Sequence, residues 1–400
     1  MKRLFQLALL SVLAVGIMSC SSDNNGSGKG KGNGDEVEIK QIEIDSTDLA
    51  EAPEVIPTDD TDSTFNDYVE NAKITRNISL KFNGNSVTAT GDVDAVTITT
   101  SGAHVTIKSS CKNVAYSLSG YSNDGSIKIY SSNKYKLELN GISLHNQSGA
   151  AINNQCGKSL YLVLADGTSN ALSDGKTYVP VAGEDMKGTL FSEGQILISG
   201  KGTLNVKANA RNGICSDDYI VIRPGCKIYV SSTANNAIKA NDGVTIKGGV
   251  INLSTSGNGA KGINCESNIN IEGGRTTVIN SGSTLVLSTD TTGCAGLKAD
   301  STINVTNGIV NVKCTGEGGK GFNSGADINI YGGDINVVTL GAKKNSAPKG
   351  VKADRNISIL GGRFYSYSAN STALDVAGTL KLGENPTGQK SGTHYYIIGF

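Results

Sequence analysis

The sequence of 400 residues contains 51 glycines, 6 prolines and no tryptophan, a composition that favours turns and strands over helices. Three histidines and the absence of any Cys-x-x-Cys spacing argue against a structural zinc site. The formal net charge of zero hides an asymmetry, because residues 21–70 hold 14 of the 36 acidic residues, whereas residues 71–400 carry 31 basic and 22 acidic residues. The folded part is therefore expected to be cationic, near +9.

Residues 1–20 are expected to be a targeting signal. Lys2 and Arg3 precede an apolar run that ends at Cys20, and the segment resembles a bacterial lipoprotein signal in which Cys20 becomes the lipidated first residue. An ordinary signal peptide or a membrane anchor is the alternative, but the run is short for a bilayer span. The prediction is a protein held by lipid on Cys20 in the cell envelope, at the outer membrane or cell surface or facing the periplasm.

Residues 21–65 are predicted to be a flexible acidic tether. A stretch rich in Gly, Ser and Asn is followed by one rich in Asp and Glu with hardly a lysine. Such a composition lacks the apolar residues that a chain needs to fold alone. The folded domain is expected to span residues 66–400.

Seven segments of the folded part repeat an apolar pair whose members are separated by one residue. The second member, which we call the anchor, recurs at spacings of 24, 24, 25, 34, 25 and 29 residues, and periods of this length mark stacked supersecondary units. Eight residues upstream of each anchor is another apolar residue, and three residues downstream is nearly always glycine. The anchors are Ile198, Ile222, Ile246, Ile271, Val305, Ile330 and Ile359.

This repeat predicts an all-β fold, a right-handed parallel β-helix with three short strands per coil. Even offsets from the anchors face inward, as in strands whose side chains alternate, and glycine permits a tight turn between two strands. A Greek-key sandwich of hairpins is the alternative, but it would not keep one register over seven units. Because a solenoid grows by adding coils, residues 66–400 are expected to form a single domain.

Stacked coils place equivalent residues about 4.8 Å apart, as a ladder on the surface. Neighbouring carboxylates in such a ladder repel each other, and a hard cation with oxygen ligands relieves the repulsion, so Ca²⁺ is the predicted metal, structural or bridging to the ligand. The alternative is that Lys239, Lys298 and Lys352, two residues earlier on the same side, pair with these acids. The carboxylates, five residues upstream of the anchors, are Glu193, Asp217, Glu266, Asp300 and Asp354.

Insertions are the second feature of the surface. Two coils are lengthened at 281–292 and 340–348, and a third long connection spans 166–188. Insertions on one face of a solenoid usually line its binding surface, so removal of residues from the first two is expected to weaken ligand retention without unfolding the stack.

Disulfide pairing stays open, with Cys215–Cys226 and Cys294–Cys314 as the possibilities.

Several motifs resemble those of a known family. Tyr116-Ser-Leu-Ser-Gly120, Gly149-Ala-Ala-Ile152 and Lys349-Gly-Val-Lys-Ala353 are similar to the bacterial surface family of carbohydrate-binding domain-containing proteins. The resemblance implies a calcium-containing right-handed parallel β-helix of cell-surface lipoproteins that binds cellulose-like or acid-sugar polymers and looks like polysaccharide lyases in shape. That family often places Asp directly before its Gly-Ile turns, a position at which this chain has Asn212, Asn236, Lys261, Lys320 and Lys349.

Binding of a polysaccharide is favoured over catalysis. A cationic solenoid in the envelope suits an acidic polysaccharide better than nucleic acid, although surface lysines also serve solubility alone. The alternatives are a pectate-lyase-like polysaccharide lyase, in which a lysine removes the proton α to a uronate carboxyl, and an adhesin or scaffold without sugar binding. An enzyme normally breaks its repeat at one coil, whereas the lysines here recur evenly. The predicted ligand-binding residues are Lys239, Lys298 and Lys352, with Tyr331, Tyr365 and Tyr367 stacking on sugar faces.

Overall fold

The structure, a computed structural model, describes residues 37–400. The predicted signal peptide and its lipidated Cys20 lie outside these residues. Ile39–Phe400 form one compact unit, which is described below. The helical elements of the described chain are three short 3-10 turns, Phe65–Asp67, Val69–Asn71 and Val93–Ala95. Within the same residues no helix has the length and apolar character needed to span a membrane.

The chain winds into a parallel β-solenoid of about 11 turns, which confirms the predicted fold class. Each complete coil contributes one strand to each of three columns. The first column is a 12-stranded sheet, and the second and third columns belong to one 23-stranded sheet. Coil stacking satisfies the backbone hydrogen bonds of every strand except those at the two ends.

The strands divide among the columns as follows. The first column contains Thr97–Ser101, Ala103–Ser109, Gly125–Ser131, Ile152–Asn154, Gly188–Ser192, Asn212–Ser216, Ile238–Ala240, Lys261–Cys265, Ala295–Ala299, Lys320–Ser324, Lys349–Ala353 and Leu374–Val376. The second contains Leu160–Leu164, Ile196–Gly200, Tyr219–Ile222, Gly243–Ile246, Ile269–Ile271, Ile303–Val305, Ile328–Ile330, Ile357–Ile359 and Leu380–Leu382. The third contains Ser169–Asp174, Thr203–Ala208, Lys227–Ser232, Val250–Thr255, Arg275–Asn280, Ile309–Cys314, Asp334–Thr339 and Arg363–Ser368.

Antiparallel strands close both ends of the stack. At the start, Ser86–Gly91 pairs antiparallel with Arg76–Asn83, which pairs in parallel with Val114–Ser122. The long strand Tyr135–Asn146 follows and pairs with strands of both the second and the third column. At the other end, Tyr395–Gly399 pairs antiparallel with the last third-column strand and with Thr387–Ser391. A two-stranded hairpin, Leu285–Val286 with Thr291–Thr292, projects from one connection.

The predicted register is confirmed residue by residue. Each anchor pairs with the anchor of the next coil, from Ile198 with Ile222 to Ile330 with Ile359, and all seven are fully buried. The apolar residues eight positions upstream are fully buried too. Cys265 is buried as expected, and all seven described cysteines are free. Burial raises the pKa of the Cys226 thiol to about 12, which keeps it unreactive.

Residues 39–65, which the sequence predicts to be a flexible tether, form together with residues 66–71 what we call the strap, a largely extended segment in contact with the outer surface of the second and third columns. Apolar residues of its end, such as Val69, pack against Tyr161, Leu197 and Val221, which point outward from the second column. Many of these contacts are ionic, because acids of the strap pair with cations of the solenoid, as Asp45 does with Arg275 at 3.0 Å.

Candidate functional site

Lysine and asparagine alternate along the outward face of the first column. The register pairs Lys239 with Asn264, Asn264 with Lys298, Lys298 with Asn323 and Asn323 with Lys352. The three predicted lysines therefore lie on every second coil, about 9.6 Å apart. This regular spacing comes directly from the repeat, because all three occupy the same position of their coils.

The carboxylate ladder pairs with these lysines. Lys239 Nζ lies 2.7 Å from the Glu266 carboxylate and 2.9 Å from the Asn241 side-chain oxygen. Lys298 forms an ion pair with Asp300, and Lys352 with Asp354. Of the two alternatives, lysine pairing is the arrangement that the structure shows.

The other two carboxylates of the ladder are Glu193 and Asp217. Asp217 pairs with Lys187, whose Nζ lies 2.7 Å from Asp217 and 2.9 Å from Asp185, a carboxylate outside the ladder. Burial raises the pKa of Glu193, and the charge of Asp217 raises it further. Within residues 37–400 no group of three or more His, Cys, Asp and Glu side chains is placed to hold a metal ion. Ammonium groups thus form ion pairs with four of the five carboxylates of the ladder, Asp217, Glu266, Asp300 and Asp354. This pairing fits the predicted Ca²⁺ site poorly, and calcium binding by the protein stays a prediction.

A cavity of about 490 Å³ opens at the edge of the first column. Four cationic side chains line it, and no carboxylate does. The lining cations are Lys187, Arg211, Lys239 and Lys261. Asparagines make up most of the remaining polar wall, namely Asn212, Asn235, Asn236, Asn258 and Asn264. We call this space the lysine cavity.

Lys261 is the most strongly perturbed cation of the lysine cavity. Burial, together with the charges of Lys298 and Lys320, lowers the pKa of Lys261 to about 8. Within the described chain the Lys261 ammonium has no carboxylate partner at ion-pair distance. The site therefore holds a cation whose charge is not balanced locally, and an anion entering the cavity would balance it.

The amides of the cavity divide into fixed and free groups. Asn236 donates to the Asn212 side-chain oxygen at 2.9 Å and accepts from the Lys261 backbone N–H at 2.9 Å, so its position is set by neighbouring coils. The side-chain oxygen of Asn264 is buried without a hydrogen-bond partner in the described chain. An acceptor left in this state is costly.

The irregular parts of the three insertions all lie between the third column and the first, at the corner that holds the lysine cavity. The 281–292 insertion forms the projecting hairpin, and its Leu285 and Thr292 line the cavity. The 166–188 connection contains a third-column strand, so its irregular part is shorter than expected, and it ends beside Lys187. The 340–348 insertion is bound to a neighbouring coil by Glu317, whose carboxylate accepts hydrogen bonds from the backbone N–H groups of Asn345 and Ser346 at 2.8 and 3.0 Å.

The predicted tyrosines are not part of this cavity. Tyr331 is exposed, Tyr367 is half-buried, and Tyr365 is only 5% exposed. Lys40 of the strap lies over the Tyr365 ring, with Nζ 5.2 Å from the ring centroid. Tyr365 therefore does not present an open stacking face in this structure, because the strap covers it.

Sequence reasoning found Lys239 but missed the other three cations of the lysine cavity. Lys187 and Arg211 lie in connections outside the repeating strand positions, so periodicity carries no signal for them. Lys261 does carry a signal, because it stands where the two preceding coils have Asn212 and Asn236, whereas the next coil has Ala295. A lysine that replaces an amide at the start of a buried strand indicates a partly buried cation.

Comparisons with known proteins agree with this architecture. The sequence matches the family of carbohydrate-binding domain-containing proteins over residues 94–385. A protein of that description from Acetivibrio thermocellus is 29% identical over 153 residues, which are 37% of this chain and 51% of that protein. The chain thus matches about half the length of this relative. A solved structure, described as the polysaccharide lyase-like protein from C. thermocellum in a gadolinium derivative, has a TM-score of 0.50 and 26% identity, and the match covers 66% of this chain and 95% of that one.

Proposed function

Because the chain belongs to the family of carbohydrate-binding domain-containing proteins, we propose that it binds an acidic polysaccharide in the lysine cavity. The observation that carries the proposal is the lining, which has four cations, five asparagines and no carboxylate. Cations suit the carboxylates of a uronic acid polymer, whereas asparagine side chains both donate to and accept from sugar hydroxyls. Lys187 and Lys239 already pair with carboxylates of the protein, so a neutral glucan would leave Arg211 and Lys261 without an anionic partner.

Individual residues have separate roles in this proposal. Lys261 supplies an ammonium without a local counter-charge, and Arg211 supplies a planar guanidinium that suits a carboxylate. Asn264 lines the cavity, and its side-chain amide offers a hydrogen-bonding group to a sugar hydroxyl. Lys298 and Lys352 continue the lysine series along the column beyond the cavity, so a polymer bound there would follow the axis of the solenoid.

Affinity electrophoresis in gels containing polygalacturonate, alginate or a neutral β-glucan tests the proposal. We expect retention by an acidic gel and a loss of about tenfold in affinity for Arg211→Ala with Lys261→Met, since two charge-assisted contacts disappear. Lys390→Ala removes an exposed lysine far along the chain and serves as the control. Equal retention of the double variant and the control would refute binding at the lysine cavity.

A second candidate function is β-elimination of a uronate, and the pKa of Lys261 favours it. An amine with a pKa of about 8 is partly neutral near pH 7, so it can accept the proton α to the carboxyl. The electron pair of that C–H bond forms a C=C bond, the glycosidic C–O bond breaks, and the leaving oxygen takes a proton. The lysines that sequence alone assigned to this step are ion-paired with carboxylates, which favours Lys261 over them.

Ultraviolet absorbance of unsaturated uronate products separates the two functions. A lyase would produce absorbance from polygalacturonate or alginate, and Lys261→Met would abolish it while Lys239→Met would reduce it less. A binding protein would retain the polymer and yield no absorbance change. The same protein samples serve for both assays, so each result is directly comparable with the retention measurement.

We propose further that the protein is lipid-anchored through Cys20 in the cell envelope. The support is the signal-like segment before Cys20. In cells that process lipoproteins, the protein should fractionate with membranes, and Cys20→Ala should release it into the soluble envelope fraction. Mass spectrometry of the N-terminal peptide would detect the lipid directly, and an unmodified Cys20 would contradict the proposal.

A further inference from the structure

A second anion-binding feature lies on the opposite side of the coil from the lysine cavity, at the turns between the second and third columns. There the Glu51 carboxylate of the strap accepts the backbone N–H of Gly225 at 2.8 Å and that of Gly249 at 2.6 Å. The two glycines occupy the same position in adjacent coils. One carboxylate thus bridges two coils through main-chain amides, as in a backbone anion nest.

The same glycine recurs in the next four coils, three residues after each anchor. All six glycines have positive φ, between 73° and 94°, so their amides take the same orientation relative to the coil. The later four amides form no hydrogen bond to any residue in the described chain. These four, Gly274, Gly308, Gly333 and Gly362, line a cavity of about 590 Å³. We call them the open amide ladder.

Charged side chains also line this cavity. The cations are Lys247 and Arg363, and the carboxylates are Glu51, Glu272 and Asp334. Asp334 is bound by Arg363 at 2.6 Å, Glu51 is bound by two main-chain amides, and the charge of Glu272 acts on Lys247. Each carboxylate thus has a donor or a cation of the protein beside it, and the amides of the open amide ladder are left as the unsatisfied donors.

The contacts of the strap indicate what kind of molecule fits. Asp45 pairs with Arg275, and Asp48 pairs with Lys227, which lies two coils earlier in the stack. Glu51 binds main-chain amides of that earlier coil and of the coil after it. One extended chain thus places its carboxylates against several coils. A linear polyanion with carboxylates at a similar spacing would reproduce these contacts further along the ladder.

We propose that the open amide ladder binds carboxylates of an acidic polysaccharide, with Glu51 as the built-in example of the contact. The inference rests on the proposed function, since it assigns a second surface to the same class of ligand. One carboxylate bridges Gly274 and Gly308, and the next bridges Gly333 and Gly362. Because glycine has no side chain, the ligand reaches the main chain directly.

Labelling the protein with ¹⁵N-glycine tests the ladder amide by amide. On titration with a polygalacturonate oligomer, the amide signals of the open amide ladder should shift downfield, and those of Gly225 and Gly249 should not, because Glu51 already binds them. The variant Asn307→Asp adds a negative charge beside Gly308 with almost no change in shape, and it should weaken these shifts at least threefold. Asn307→Ser is the uncharged control.

The result distinguishes this site from the lysine cavity. If Arg211→Ala with Lys261→Met abolishes retention but the glycine shifts persist, the ladder is an independent site. If the glycine signals do not respond while the wild-type protein is retained by the acidic gel, the ladder proposal is overturned and the proposed function stands. Shifts that are equal for Asn307→Asp and wild type would also overturn it, because binding would then not involve these amides electrostatically.

Discussion

Lys261 lies in an environment that disfavours its own charge. Burial, followed by the charges of Lys298 and Lys320, holds its pKa near 8 in the folded protein, against an ordinary value of 10.5. Between these two pH values the unfolded chain binds more protons than the folded one, so the free energy of unfolding rises with pH in this window. Below about pH 8 the folded state carries a poorly solvated ammonium, and the stability is lower.

Replacement of Lys261 by methionine should remove this penalty. We expect Lys261→Met to raise the free energy of unfolding at pH 7 by about 2 kcal/mol, after allowance for the part of the side chain that stays in water. Urea titrations at pH 7 and pH 10 measure the effect, and the gain should shrink at the higher pH. Lys390→Met, at an exposed position, is the control. A destabilised Lys261→Met variant at pH 7 would show that the ammonium has a stabilising partner.

Arg223 is the residue that holds the strap most firmly. It is only 5% exposed, and its guanidinium donates to both oxygens of Glu70 at 2.7 and 3.0 Å and to Glu54 at 2.8 Å. The Tyr68 ring centroid lies 4.4 Å from it. Burial raises the pKa of Glu70, but the hydrogen bonds and charge of Arg223 outweigh this and leave that pKa below its ordinary value.

Loss of Arg223 should therefore be costly. Arg223→Met leaves two carboxylates without their partner in a partly buried place, and we expect a loss of about 3 kcal/mol in the free energy of unfolding. The matched control is Arg363→Met, since Arg363 also pairs with a carboxylate but its side chain is 76% exposed, and its removal should cost less than about 1 kcal/mol. Chemical denaturation of both variants compares them; similar costs would mean that the strap contributes nothing beyond a surface ion pair.

At the scale of elements, the projecting hairpin can be separated from the stack. Its first residues belong to the coil, because the backbone oxygen of Ser283 accepts the N–H of Gly259 at 2.8 Å and Thr284 donates to Glu317 at 2.9 Å. A deletion of 281–290 would break these bonds as well as the cavity wall. Replacing only residues 286–291 by two glycines keeps them.

This shortened hairpin should weaken retention by an acidic polysaccharide about threefold or more, because Leu285 and Thr292 lose their fixed positions in the cavity wall. Its melting temperature should change by less than about 3 °C, as the core is untouched. The control is Val286→Ser with Leu287→Ser, which changes two exposed tip residues and keeps the hairpin. Full retention by the shortened protein would remove the hairpin from the binding surface.

The elements also show what the sequence could predict. Anchor positions and register follow from local periodicity, because every coil repeats the same inward pattern and each anchor such as Ile246 has a partner of the same kind in the next coil. The lysine cavity depends on connections of irregular length, and no period describes them. The contacts of the strap could not be predicted for another reason. Acids such as Glu54 pair with residues such as Arg223, 169 positions away, and an acidic composition by itself predicts a segment exposed to solvent.

At the scale of the whole molecule, the strap cancels the charge of the solenoid. Residues 39–70 contain ten acidic residues and one lysine, whereas residues 71–400 carry a charge near +9. The expected cationic surface is therefore partly neutralised within one compact unit. Attraction between the two parts is electrostatic over much of the strap, and exposed charges are screened over about 8 Å at physiological ionic strength.

Partial neutralisation of the strap should expose the cationic solenoid to an external polyanion. We expect Asp45→Asn with Glu51→Gln to raise the affinity for polygalacturonate at low salt about threefold or more, because Arg275 and the Gly225 and Gly249 amides lose their internal carboxylates. Affinity electrophoresis at increasing NaCl measures this affinity, and the gain should disappear as salt screens the charges of the variant and of the wild type.

Glu43→Gln with Asp60→Asn makes the same change in net charge at exposed positions of the strap and should have a smaller effect. If both pairs raise the affinity equally, net charge alone governs binding and the strap does not compete for a defined surface; a larger effect of the first pair means that the strap occupies a surface that an acidic polymer can also use.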